Sequence, residues 1–282
     1  MNGWTEGLAR AMAYLEAHLT EDLDPQILAA QAYVSPFYFQ KIFHVLCGMT
    51  GMTLGEYIRG RRLTLAAQEL SVGDARVMDL ALKYGYDSPD SFVRAFTRFH
   101  GISPSAAREK GVSLHALAPL QIKVTLEGGT MLEYRIEEKD AFTVMGKLAR
   151  FDCETSYQEI PRFWDAHYQS GGGQIVCGAF GLCLDGDGRS FDYMIADLYT
   201  PWKPVPQGYV TRIIPGGTWA VFPCRGPLPR TLQSVNTAIW SQWLPALKGC
   251  RLRGSYNVEM YASPAEDPAD TYSEIWIPLE KC

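Results

Sequence analysis

The 282-residue chain has no C-x-x-C pair, and its seven cysteines (positions 47, 153, 177, 183, 224, 250 and 282) are odd in number and far apart. That excludes a disulfide framework and a thiolate zinc site of ordinary spacing, and the thiols are expected to be reduced and mostly core-filling. No cluster of residues calls for a metal or a cofactor. Long apolar runs are also missing. The longest uncharged run, between Asp165 and Asp185, is broken by Gln169, Ser170, Gly171, Gly172, Gly173 and Gln174, too polar to span a bilayer. The N-terminus lacks the basic and apolar regions of a signal peptide, so a cytoplasmic protein without membrane contact is expected. A basic excess is absent as well: the formal net charge is −5, which argues against indiscriminate nucleic-acid binding. The 47% apolar and 20% charged composition is that of a globular chain, and the length suggests about two domains.

Composition changes near residue 110. Residues 1–110 hold 4 of the 17 prolines and one of the seven tryptophans, and their apolar residues recur at helical spacing. The remainder holds 13 prolines and six tryptophans and alternates apolar with polar residues between turn signals. The expected fold class is multidomain, α and α+β. An all-α domain at 1–110 is followed by a linker at 111–130 and an α+β domain at 131–282.

In the first part, an amphipathic helix is expected over 7–18. Asp24-Pro25 reads as a cap with proline at the first helical position, opening a helix through Ala32. Ser35-Pro36 repeats the device before a helix to Leu46, and a long helix follows over 54–70. The pattern recurs with a helix over 77–83, a turn at Tyr84–Asp87 and a helix opened by Ser88-Pro89 that ends near His100. Two helix-turn-helix units joined by a long helix follow from this duplication.

The residues carrying these elements, Tyr57-Ile58-Arg59-Gly60-Arg61-Arg62-Leu63, Leu80-Ala81-Leu82-Lys83-Tyr84-Gly85-Tyr86-Asp87-Ser88, Phe92-Val93-Arg94-Ala95-Phe96 and Gly101-Ile102-Ser103-Pro104-Ser105, occur in order. This stretch resembles the AraC/XylS family of transcription regulators. The resemblance implies two recognition helices entering successive major grooves of double-stranded promoter DNA, with RNA polymerase as a further partner and activation as the habitual sign. One departure stands out: Gly48-Met49-Thr50 is repeated at once as Gly51-Met52-Thr53, and a surface loop is expected there.

A recognition helix presents residues near its N-terminus to base edges. In the first unit these are Ser35, Phe37, Gln40 and Lys41, where Gln suits adenine, Lys guanine and Phe a thymine methyl. In the second they are Asp90, Ser91, Val93 and Arg94. Arg61 is a candidate phosphate contact, against which stands pairing of Arg61 or Arg62 with Glu56, Glu69 or Asp79. Phe39, Phe43, Phe92, Phe96 and Phe99 read as core. Residues 1–110 carry 11 Lys and Arg against 12 Asp and Glu, but Lys41, Arg59, Arg61 and Arg62 face only Glu56 between residues 39 and 63. A local basic face with a shallow salt dependence is expected.

Past residue 130, strands are expected near 131–137, 143–150, 175–184 and 191–199, with a helix over 156–169 opened by a capping box at Ser156–Glu159. The order repeats with strands near 209–214, 218–224, 255–262 and 272–279 around a helix at 229–243. Two pseudo-symmetric ββαββ modules result, with a cleft between paired sheets where a small ligand could sit. Thr218–Pro227, Asn257-Val258-Glu259-Met260-Tyr261 and Glu274–Leu279 make this part resemble the GyrI-like effector-binding domains of multidrug-responsive regulators. The resemblance places the ligand-binding glutamate at Glu259.

A carboxylate among apolar neighbours is costly unless compensated, and an organic cation held by aromatic faces would compensate it. Tyr193, Trp164, Trp219, Tyr261 and Trp276 are the candidate aromatic walls, against the alternatives that these rings are core and that Glu259 pairs with Arg251 or Arg253. Trp240 and Trp243 read as packing. Asp185-Gly186-Asp187-Gly188 lacks the ligands of a calcium loop and reads as a hairpin turn. The expected function is a transcription regulator, not an enzyme, controlled by a lipophilic, cationic or aromatic small molecule. The alternatives are a small-molecule hydrolase using Glu259 with Tyr193, or a drug-sequestering module.

Overall fold

The computed structural model describes residues 4–46, 52–120, 131–262 and 266–281. The chain forms two compact units, Met1–Tyr33 with Cys47–Val124, and Val34–Leu46 with Thr125–Cys282. The N-terminal helices are α1 (Trp4–Ala17), α2 (Pro25–Gln31), α3 (Pro36–Leu46), α4 (Leu54–Val72), α5 (Val77–Lys83) and α6 (Pro89–His100). All belong to the first unit except α3, which is built into the second.

Helix ends in the first unit follow the local chemistry. Asp24 accepts from the Gln26 amide at 2.8 Å, with Pro25 at the first helical position of α2. Ser88 caps α6 by accepting from the Ser91 amide, and Gly101 ends it in the left-handed region at φ 78°. Helix α4 opens with a capping box that sequence reading overlooked: Thr53 and Glu56 each accept from the other's amide. Thr53 closes the Gly-Met-Thr repeat, whose residues 48–51 lie outside the described residues.

The core of this unit joins Leu63, Ala66, Ala67 and Leu70 of α4, Leu80, Ala81 and Tyr84 of α5, and Phe92 and Phe96 of α6. Each phenylalanine contributes about 1.5–3 kcal/mol by leaving water.

Arg61 corrects one expectation. Its guanidinium is enclosed, donating from Nε and Nη2 to Glu16 at 2.8–3.1 Å and from Nη1 to the Leu117 carbonyl at 2.5 Å. A phosphate cannot reach it, and its partner is none of the acids considered from sequence. Half of the expected linker is also strapped onto α4. Leu117 N–H donates to Thr64, Leu120 N–H donates to the Tyr57 hydroxyl, and Gly60 leaves the room in which the Leu117 side chain lies. Residues 121–130 lie outside the described residues.

In the second unit, strands β1 (Arg135–Lys139), β2 (Phe142–Asp152), β3 (Phe180–Leu184), β4 (Ser190–Leu198), β5 (Val210–Ile214), β6 (Gly217–Arg225), β7 (Cys250–Leu252), β8 (Asn257–Tyr261) and β9 (Tyr272–Lys281) form one antiparallel sheet. The order is β1-β6-β9-β8-β3-β4-β2-β5, with the short, unforeseen β7 pairing β9. The two ββαββ modules are present, but the expected pair of sheets is not. Each module gives its first strand to the other: β1 pairs β6 and β5 pairs β2. The pseudo-two-fold axis therefore runs between β3 and β8, at the centre of a single sheet.

Strand β3 starts five residues later than expected. The carboxylate of Asp197 takes the amides of Cys177, Gly178 and Ala179, so these donors are withdrawn from the ladder. Helix α7 (Ser156–Gln169) has the expected limits but not the expected cap: Thr155 occupies that place without a side-chain bond to the helix amides. Helix α8 (Arg230–Ala238) continues into a π-helical turn at Ile239–Trp243 that buries Trp240 and Trp243.

Alternation sorts the sheet's two faces. One carries Leu182, Met194, Val258, Val221, Trp219 and Trp276 and forms the apolar core. The sheet curls around it far enough for the ring of Phe142 on β2 to meet Trp276 on β9, centroids 6.1 Å apart. The other face carries Gly181, Cys183, Phe191, Tyr193, Asn257 and Glu259, as the registers Gly181↔Glu259, Cys183↔Asn257 and Cys183↔Tyr193 require.

Candidate functional site

Glu259 stands on β8 near the centre of the second face, and one of its oxygens is the focus of the site. Oε2 accepts from the Tyr261 hydroxyl at 2.8 Å and from the Tyr193 hydroxyl at 3.1 Å. The Tyr193 oxygen in turn accepts from the Trp164 indole N–H at 3.0 Å, and the Trp164 and Tyr261 rings meet edge to face at 5.6 Å. Three aromatic side chains from β4, β8 and α7 thus converge on one carboxylate.

Two glycines make this possible. A Cβ on Gly181, opposite Glu259, would fall 2.3 Å from the Tyr193 hydroxyl and 2.9 Å from Oε2. Gly178, at φ 83°, lets the Trp164 ring lie against the backbone. Burial, and then the Glu259 charge, hold the Tyr193 and Tyr261 hydroxyls well above the usual phenol range, so both remain donors at neutral pH. Among the described residues no cation forms an ion pair with Glu259; Arg253 donates to the Gly216 carbonyl at 2.8 Å instead.

Of the five aromatic walls expected from sequence, the structure brings three to Glu259. Trp219 and Trp276 face the other way. Register pairs Val258 with Trp276 and Glu259 with Ile275, so Trp276 shares the face of Val258 with Trp219, in the apolar core. Trp276 Nε1–H donates to Glu274 at 2.6 Å, a second carboxylate that Tyr272 and Arg135 also bind at 2.6 Å each. Glu274 is 4% exposed and fully partnered, a structural group.

Helix α6, expected from sequence to read bases, leaves one face exposed. Phe92, Phe96 and His100 bury one stripe of α6, while Asp90, Arg94, Thr97 and Arg98 are exposed. Successive residues in a helix turn by about 100°, so Asp90, Arg94 and Thr97 share the outward face. Thr97 and Arg98, at i+3 and i+4 from Arg94, were not singled out from sequence and are exposed beside it. Ser91 turns back to donate to the Ser88 carbonyl at 2.7 Å, and Val93 is half-buried. Helix α3 differs: Phe37 is 1% exposed, Gln40 and Lys41 are half-buried, and Ser35 accepts from the Tyr38 amide at 3.4 Å.

Among the described residues no group of His, Cys, Asp or Glu could hold a metal ion, and no helix is long and apolar enough to cross a membrane.

The GyrI-like small molecule binding domain family matches residues 132–280, and a helix-turn-helix domain family matches residues 28–110. The chain is 36% identical over 117 residues to the HTH-type transcriptional activator AarP of Providencia stuartii, covering 42% of this chain and 84% of that relative. It is 26% identical over 288 residues to the Right origin-binding protein of Escherichia coli K12, covering 96% of each. The regulatory protein SoxS of Escherichia coli K12 is 35% identical over 99 residues, covering 35% of this chain and 90% of SoxS. With a double helix-turn-helix pattern in its first part and a carboxylate-centred aromatic site in its second, the chain belongs to the AraC/XylS family of DNA-binding transcription regulators and carries a GyrI-like small-molecule-binding domain.

Proposed function

We propose that this regulator senses a lipophilic cation at Glu259 and converts its capture into a change of promoter binding. The observation that carries this is the ring of Trp164, Tyr193 and Tyr261 around a carboxylate with no cationic partner among the described residues. Aromatic faces beside an anionic group attract organic cations, and a partly desolvated carboxylate gains most from a ligand that neutralises it. Promoter reading falls to Asp90, Val93 and Arg94 on α6 and to Phe37, Gln40 and Lys41 on α3, with Ser35 and Ser91 as helix-end groups beside the phosphates. The working domains are 1–110 for DNA, 111–130 as the connection and 131–282 for the effector. The protein acts in the cytoplasm, as an activator contacting RNA polymerase, and not as an enzyme. Both phenols donate to Glu259 and keep their protons, an arrangement that suits holding a cation better than activating water.

The test is a titration of a labelled fragment from upstream of the gene, with and without a rhodamine-type dye, at two salt concentrations, for wild type and Glu259→Gln. Specific binding that moves with the dye in wild type only is expected. Absence of specific binding at low salt would sink the promoter reading. Binding indifferent to the dye would remove lipophilic cations as effectors, and dye turnover lost in the Gln variant would favour a hydrolase.

A further inference from the structure

Helix α3 belongs to the second unit because its polar and aromatic side chains are held on the face of the sheet that carries Glu259. The Tyr38 hydroxyl donates to the Tyr256 carbonyl at 2.7 Å, and its ring packs on Trp240 at 5.5 Å. The Gln40 amide donates to the Gly188 carbonyl at 2.8 Å. Lys41 Nζ donates to Asn257 Oδ1 at 2.8 Å and lies 3.7 Å from Cys183 Sγ. The Phe37 ring meets Phe191 at 5.8 Å, and the hairpin turn receives it where Gly186 has no side chain. His44 stacks on Tyr157 of α7 at 3.6 Å.

We propose that α3 is a built-in occupant of the effector cleft: it plugs the groove between α7 and the π-turn, hides its own base-reading residues there, and is displaced by the effector. Three relations support this. Asn257, which binds Lys41, and Glu259 are two residues apart on one strand and point to one face, so the Lys41 ammonium and the site for an organic cation are neighbours, about 7 Å apart along the strand. The groups that α3 commits to the sheet, Phe37, Gln40 and Lys41, are the ones a base-reading helix needs free. The hairpin turn serves α3 directly: Gly186 leaves room for the Phe37 ring and the Gly188 carbonyl accepts from Gln40. A ligand that binds only with α3 undocked shifts that equilibrium by its own free energy of binding, about a hundredfold at a hundred times its dissociation constant. The inference rests on the effector and promoter readings above.

Hydrogen exchange and promoter titration of the full chain test it. In wild type, saturating rhodamine-type dye should raise amide exchange across residues 36–46. Asn257→Ala removes the acceptor of a charged donor, and without dye it should expose the same amides and tighten promoter binding roughly tenfold. Unchanged exchange at 36–46 under saturating dye overturns the plug, as does Asn257→Ala that binds promoter no more tightly. If the dye fails to bind, the effector reading falls and the dye-free comparison of Asn257→Ala with wild type still decides whether α3 is masked. If no variant binds promoter, the promoter reading falls and dye-driven exchange still decides whether α3 plugs the cleft. Should Asn257→Ala not fold, Phe191→Leu loosens the Phe37 contact with the same expected outcomes.

Discussion

Gly181 and Glu259 face each other across the β3–β8 ladder, and the space a side chain on Gly181 would take is filled by the Glu259 carboxylate and by the Tyr193 hydroxyl from β4. The pseudo-two-fold axis relates these two positions and likewise Tyr193 to Ser273, so the scaffold is symmetric while the site, with Glu259 and Tyr193 on one side and Gly181 and Ser273 as their counterparts, is not. Gly181→Ala would place a methyl on the Tyr193 hydroxyl without backbone strain. The expected result is a loss of about 1–3 kcal/mol in stability from overpacking. Dye affinity should fall about tenfold in the same variant, read by thermal melting and fluorescence titration; unchanged dye affinity would remove Gly181 from the site.

Glu274 makes the second unit sensitive to acid. Burial works to raise its pKa, but the bonds from Tyr272, Arg135 and Trp276 together hold it below the ordinary carboxylate range. A carboxyl depressed in the folded state contributes stability that is present above its unfolded pKa and lost as pH falls through the folded one. Urea melts should therefore show constant stability from neutral pH to about pH 5 and a decline below it. In Glu274→Gln that share of the decline should vanish; an identical acid slope in both proteins would contradict the assignment.

Arg61 and Glu16 tie the long helix to the first one, 45 residues away. Arg61→Ala leaves Glu16 with a half-enclosed charge and the Leu117 carbonyl without its donor. Breaking such a pair by removing one partner costs about 3–5 kcal/mol. Circular dichroism should show the helical unit melting earlier, and promoter binding by the surviving folded fraction should keep the wild-type salt slope. A reduced salt slope with unchanged stability would restore Arg61 as a phosphate contact.

Arg94 stands on the exposed face of α6, so its replacement tests recognition without disturbing the fold. Arg94→Ala should lower specific promoter affinity about ten- to a hundredfold. The melting temperature should not move. Equal affinity for specific and scrambled fragments in wild type would count against α6 as a base reader.

The helices were legible where their ends carry their own chemistry. Ser88-Pro89 and Gly101 frame α6, and the limits of α5 and α7 match the sequence periodicity. The grouping of Glu259 with Tyr193, Trp164 and Tyr261 was legible as chemistry, but the exclusion of Trp219 and Trp276 was not. Their faces depend on the registers of β6, β8 and β9, and a one-residue shift reverses the face of every side chain on a strand. The Arg61–Glu16 pair was hidden for a related reason: nothing local to α4 selects an acid from α1. Helix α3 was readable as a helix, while its place in the second unit was not. Its consecutive Phe37-Tyr38-Phe39 already indicated a helix apolar on more than one side, which tends to be enclosed.

The exchange of β1 and β5 between the two modules has a kinetic side. Neither module can close its sheet until the other has been made, because the partner of β6 precedes it by about 80 residues and β5 must return to β2 across the whole first module. Contacts between distant parts of a chain form late and slowly. The sheet should therefore assemble and come apart as one cooperative body. A ribosome would have to release the chain beyond β8 before Glu259 can meet the Tyr193 and Trp164 side chains of the first module.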